Sequence, residues 1–140
     1  MKKLTENLYV MPQLSNNDFA EIAESGVKTI INNRPDDEET GQLNHLDAKS
    51  LAESHGMSYH YLPMENGKPL PDNLVADFKS LLATSEQPVL AHCRSGMRST
   101  ILWALGKIGD KDISVEQAIS MANDAGIPLE KVRTLLESAV

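Results

Sequence analysis

The sequence predicts an α/β fold, with a central parallel sheet of about four or five strands flanked by helices. Three observations carry this. Short apolar or β-branched runs recur at residues 8–11, 27–31, 58–62 and 89–91. Between them lie stretches whose apolar residues fall at helical spacing, the alternation expected of strands joined in parallel through crossover helices. The length of 140 residues suits one domain that buries roughly two-thirds of its unfolded surface.

In chain order, residues 8–11 end at Pro12 and read as an edge strand, where proline is tolerated. Ser15 is placed to cap a helix that turns Phe19, Ile22 and Ala23 inward and stops at Gly26. Residues 27–31 are rich in β-branched side chains and read as a central strand. A polar loop follows over residues 32–39. The next helix has Leu43, Leu46, Leu51 and Ala52 inward and ends at Gly56. Residues 58–62 read as the third core strand, and residues 64–71 as the longest irregular stretch. Asp72 or Asn73 caps a helix with the stripe Leu74, Phe78, Leu81 and Leu82.

Residues 89–91, bounded by Pro88, form a buried strand, and from Ser99 onward an almost wholly apolar helix runs through Trp103, which reads as core. Ser114 with Gln117 is a capping-box signature ahead of Ala118, Ile119 and Ala122. Pro128 opens a last helix with Leu129, Val132 and Leu136 inward. With no repeat, low-complexity segment or linker, residues 1–140 read as a single domain.

Composition narrows the function. The chain is 41% apolar and 24% charged, with a net charge of −7, which argues against nucleic acid or an anionic membrane as partner. A single cysteine makes no internal disulfide, so nothing demands an oxidising compartment. Lys2 and Lys3 have no apolar run behind them; no signal peptide or membrane span is expected, and a cytoplasmic enzyme is. His45, His55 and His60 show no ligand spacing to Cys93, so neither a metal nor a cofactor is expected.

The chemistry concentrates in the turn between the last strand and its helix, residues 93–98. It begins at the sole cysteine and ends at an arginine. Such a turn aims several backbone N–H groups at one point, at the positive end of a helix. A thiol there loses its proton easily, as cysteines at helix N-termini beside arginines do. Cys93 is therefore the candidate nucleophile rather than an inert buried thiol. Arg98 faces the bound anion, and the amides of Arg94, Ser95, Gly96 and Met97 help cradle it. Gly96 permits a cramped or left-handed turn. His92 points away from the open site and supports the turn through hydrogen bonds. The Arg94 side chain reaches either substrate or solvent. Arg34, at a strand's carboxyl end, either binds an anionic substrate or pairs with Asp36 and Glu38. The acidic run 36–39 is otherwise a solvated loop. In parallel sheets ligands sit beyond the strands' carboxyl ends, which gathers the Arg34 loop, the Glu65 loop and the Cys93 turn on one edge.

The segment His92-Cys93-Arg94-Ser95-Gly96-Met97-Arg98-Ser99 resembles the cysteine phosphatase signature, shortened by one residue between cysteine and arginine. It also resembles the active loop of rhodanese-type sulfurtransferases. Taken with residues 8–15, residues 30–36 and Trp103, it is similar to the beta-lactamase hydrolase-like, phosphatase-like domain family over roughly the first 110 residues. The resemblance implies a fold like that of the dual-specificity phosphatases. It implies either phosphatase or persulfide sulfur-transfer activity, and Ser99 as a hydroxyl that hydrogen-bonds the thiolate.

Two features order these reactions. A six-residue turn makes a smaller cradle than the phosphatase one, better matched to a persulfide than to phosphate. Phosphate ester hydrolysis also gains about a hundred- to ten-thousand-fold from a general acid, and the loop after the third strand offers only Glu65 as a candidate, since Asp72 suits a helix cap. Thiol-to-thiol sulfur transfer needs no such acid. On the sequence, sulfane-sulfur transfer through a Cys93 persulfide, with a small-molecule persulfide or thiol as partner, ranks first. Hydrolysis of a phosphorylated substrate through a phosphocysteine follows. A non-catalytic anion-binding module ranks below both, and a redox role is disfavoured because no second cysteine resolves a disulfide.

Overall fold

The computed structural model describes residues 1–140. Its strands are β1 (Lys2–Thr5), β2 (Leu8–Met11), β3 (Thr29–Asn32), β4 (Ser58–Tyr61) and β5 (Val89–His92). They form one sheet in the order β1-β2-β5-β3-β4. All neighbours are parallel except β1 and β2, which pair antiparallel. The helices are α1 (Asp18–Glu24), α2 (His45–Ser54), α3 (Leu74–Thr84), α4 (Met97–Gly109), α5 (Val115–Asp124) and α6 (Arg133–Glu137), the last preceded by a 3₁₀ turn over Leu129–Val132. None is long and apolar enough to cross a membrane.

Strand alternation divides the core. Ile30, Tyr59 and Leu90 face α1 and α2, where Phe19, Ile22, Ala48 and Ala52 pack. Ile31, Val89, Ala91, Leu8 and Val10 face the other way, onto Phe78 of α3 and the buried length of α4, with α5 and Leu136 outside. α4 is therefore sandwiched, which explains its near absence of polar residues after Thr100.

Several expectations are corrected. Residues 8–11 are interior, because β1 covers their outer side. β1 escapes notice because only Leu4 of its four residues is buried; its two lysines face solvent, as suits an edge. Residues 58–61 form the opposite edge rather than a core strand. Ser15 does not cap α1; Asn17 holds that position, and Asp18 instead accepts from the Ser15 N–H at 2.7 Å. Asn44 caps α2 through the Asp47 N–H. Leu46, expected inward, is 67% exposed, because the buried face of α2 is made by Ala48 and Ala52 close against the sheet. Neither Asp72 nor Asn73 caps α3 by a side-chain bond; Asn73 occupies the position and donates to Asp77 instead. The last helix splits in two, with Leu129 and Leu136 buried and Val132 only half-buried. The Ser114–Gln117 capping box forms as expected.

This packing separates two leucines of equal composition. Leu102→Ala, at a fully buried site of α4, is expected to lower stability by about 2–5 kcal/mol in urea denaturation. Leu46→Ala is expected to stay within about 0.5 kcal/mol.

Candidate active site

The register aligns Met11, His92, Asn32 and Tyr61 across the carboxyl edge of the sheet. The next residue of β5 is Cys93, fully buried. Its Sγ accepts the Gly96 N–H at 3.1 Å. Gly96 has φ +95°, which favours glycine, and a Cβ there would crowd Val10 Cγ1 at 3.0 Å. The Gly96 carbonyl is held by Thr100 Oγ1 at 2.8 Å, and the Arg94 carbonyl by the Gln13 N–H at 3.1 Å. Around the sulfur, the backbone N–H groups of Arg94, Ser95, Arg98 and Ser99 have no acceptor in the protein. Met97 N–H is directed to Ser95 Oγ at 3.3 Å. The turn thus carries four backbone donors without acceptors at the start of a helix, next to a buried sulfur.

Arg98 closes it. A guanidinium has five N–H bonds, and three are occupied. Nη1 donates to Glu38 Oε2 at 2.9 Å and to the Met64 carbonyl at 2.8 Å, and Nη2 donates to Glu38 Oε1 at 2.7 Å. The Nε–H and the second Nη2–H remain, on one edge of the plane, a pair suited to two oxygens of an oxyanion. Burial opposes the charge on Arg98, but the bonds to Glu38 and the nearby Cys93 sulfur outweigh it, and its pKa is raised.

Arg34 does not face an incoming anion. It is 0% exposed; Nε donates to Glu38 Oε1 at 2.9 Å and Nη1 to Gln13 Oε1 at 3.1 Å, while Nη2 has no partner. Of the two readings of Arg34, the ion pair describes the structure, with Glu38 rather than Asp36. Glu38 is therefore not part of a solvated run. The Arg98 hydrogen bonds hold its carboxyl below the usual range, against burial and with help from Arg34. Asp36 has its own task, accepting from the His45 backbone and ring at the head of α2.

Ser99, expected to serve the sulfur, donates its hydroxyl proton to Asn33 Oδ1 at 2.8 Å instead. Asn33 in turn donates its N–H to the His92 carbonyl at 2.7 Å and its side-chain amide to the Leu62 carbonyl. Ser99 thus ties the turn to the end of β3. The His92 ring lies buried against the Cys93 backbone, and neither of its nitrogens meets a partner at full hydrogen-bond geometry. Burial pushes its pKa down to about 4, with a smaller upward pull from the nearby Cys93 backbone and a further lowering by Arg34. The Arg94 side chain stands at the rim, 64% exposed and 3.5 Å from Glu39. Glu65 follows the Met64 carbonyl that holds Arg98, but its own carboxylate lies at the surface, 3.0 Å from Lys68. Glu38 was expected as a partner of Arg34, but its bridge to Arg98 was not, nor were the roles of Asn33, Gln13 and the Met64 carbonyl. The spacing of four between Arg34 and Glu38 is the one local signal among these contacts.

A cysteine at the end of the central strand of a mostly parallel sheet, in a donor-lined turn that closes on an arginine, defines a cysteine phosphatase-like fold. A kinase-associated phosphatase, in a form whose catalytic-site cysteine is replaced by serine, superposes with a TM-score of 0.72 at 20% identity, over 92% of this chain and 82% of that one. The chain belongs to the family described as beta-lactamase hydrolase-like protein, phosphatase-like domain, which matches residues 1–110. A beta-lactamase hydrolase-like protein of Agrobacterium fabrum is 36% identical over 108 residues, 77% of this chain and 25% of that protein. The chain thus spans a quarter of that relative's length. A candidate phosphatase of Neisseria meningitidis superposes with a TM-score of 0.91 at 37% identity, covering 99% of this chain and 97% of that one.

Two outcomes follow from the buried charges. The unfolded chain protonates His92 near 6.5 and the folded chain only near 4. Between these values the unfolded state binds more protons, so stability falls as the pH is lowered, by roughly 3 kcal/mol in all. Urea denaturation across pH 7 to 4 is expected to show this loss in the wild type and much less of it in His92→Leu. Glu38→Gln removes the carboxylate shared by two buried guanidiniums and is expected to cost about 3 kcal/mol at pH 7 by the same measurement.

Proposed function

We propose that the protein hydrolyses phosphate monoesters through a phosphocysteine on Cys93. The Cys93 thiolate attacks phosphorus, and the P–O bond to the ester oxygen breaks with its electron pair. Water then attacks the phosphocysteine, releasing inorganic phosphate and returning the thiolate. The observation that carries this reading is the pair of N–H bonds left on Arg98 beside four unoccupied backbone amides around Sγ. That donor set suits the three non-bridging oxygens of a phosphoryl group, whose charge must be held throughout. The likeness to phosphatase folds supports hydrolysis over sulfur transfer, reversing the order drawn from the sequence.

Arg34 acts here as a positioning residue through Glu38, and Ser99 contributes its amide and its tie to Asn33. Glu65 is the candidate acid on its loop, yet Lys68 engages it at the surface. Without an acid aimed at the leaving oxygen, esters that depart unprotonated are favoured, so aryl phosphates should turn over much faster than alkyl phosphates. Sulfane-sulfur transfer is kept as a second reading on one observation, the turn one residue shorter than the phosphatase signature.

The discriminating assay gives the wild type and Cys93→Ser an aryl phosphate, and separately thiosulfate or a persulfide. Phosphate release is expected from the wild type, falling at least about a thousandfold in Cys93→Ser. Glu65→Gln is expected to leave aryl phosphate turnover within about threefold, well short of the loss a working acid brings. An intact mass increased by one sulfur atom, lost in Cys93→Ser and with no phosphate release from either protein, would establish the second reading instead.

A further inference from the structure

At the amino end of β5, the opposite end of the strand from Cys93, a cavity of about 420 Å³ opens between α3, α4 and the β1–β2 connection. That volume lies within the range of about 300–1,000 Å³ typical of small-molecule sites. Its inner wall is apolar, made by Leu8, Phe78, Leu82, Val89 and Trp103. The Trp103 indole N–H is buried and has no acceptor in the protein.

Charge at the rim has a sign. Lys79 and Lys107 line the cavity with a single carboxylate, Asp110, between them. Lys79 is held on Asp110 at 2.6 Å, its stem lying over Gly106, where a Cβ would stand 2.7 Å from Lys79 Cγ. Lys107 is the freer cation, since its ion pair, with Asp112 at 3.7 Å, is longer than that of Lys79. It also sits in the last turn of α4, where it offsets the negative helix end, so a ligand competes with that terminus for it.

We propose that this cavity binds a small monoanionic amphiphile, an alkyl or aryl carboxylate, with its apolar part on the Phe78–Trp103 wall and its carboxylate at Lys107. The site is separate from the cysteine turn, shares no residue with it, and does not rest on the reaction proposed there. Competition from the helix end keeps the affinity modest, with a Kd for octanoate on the order of 1 mM.

The chain has one tryptophan, so its indole N–H gives a single proton–nitrogen NMR resonance. Octanoate titrated into the wild-type protein is expected to move that resonance saturably, 1-octanol more weakly and octylamine least. Lys107→Gln is expected to weaken octanoate about fivefold and to leave 1-octanol unchanged. Inorganic phosphate, directed to the cysteine turn, is expected not to displace octanoate. The proposal is overturned by no saturable shift, by octylamine binding as well as octanoate, by octanoate indifferent to Lys107→Gln, or by its displacement with phosphate.

Discussion

One carboxylate holds two buried guanidiniums in this protein. Glu38 bridges Arg34 and Arg98, and neither arginine has another acidic partner. A guanidinium buried without a counter-charge is among the costliest things a fold can contain, so the loop after β3 must close over the cysteine turn. The same contact fixes which way Arg98 presents its plane. Because Glu38 takes the terminal fork and the Met64 carbonyl takes the remaining Nη1 proton, only the lateral edge is left for a ligand. Two loops thus meet on one arginine of α4, the β3–α2 connection through Glu38 and the segment after β4 through Met64.

The sheet makes that meeting possible. Its parallel register brings Met11, His92, Asn32 and Tyr61 level, so the loops leaving β2, β5, β3 and β4 rise from a common edge. Gln13, Asn33 and Met64 each stand within two residues of a strand end or just beyond one, and each binds the turn or its arginines. The site is built from backbone anchors as much as from side chains. This is why a turn with a left-handed glycine keeps one shape.

Much of this was legible in the residues. The four strands of the parallel layer follow from apolar runs, and the turn's role follows from a lone cysteine and an arginine bracketing a glycine before an apolar helix. Other features were hidden for physical reasons. β1 looks like a charged tail because an edge strand with one buried leucine leaves little hydrophobic signal. Leu46 follows helical spacing yet faces solvent, since close packing of α2 selects its alanines. Glu38 sits inside an acidic run, and although its spacing of four from Arg34 suits a pair, nothing local shows that it also reaches Arg98. The hydroxyl of Ser99 shows the converse: its motif predicts a bond to sulfur, and the nearby Asn33 carbonyl takes it. Pairings made across distant loops leave no periodic trace.

The strand order has a consequence for how the molecule comes into being. β5 lies between β2 and β3, yet it is the last of the five to leave the ribosome. Until it emerges, the β1-β2 and β3-β4 pairs have nothing to join them, and each has an edge without its native partner. The segment that carries the reactive sulfur is therefore also the one that joins the two halves of the sheet, and a product that stops short of β5 lacks both the closed sheet and the nucleophile.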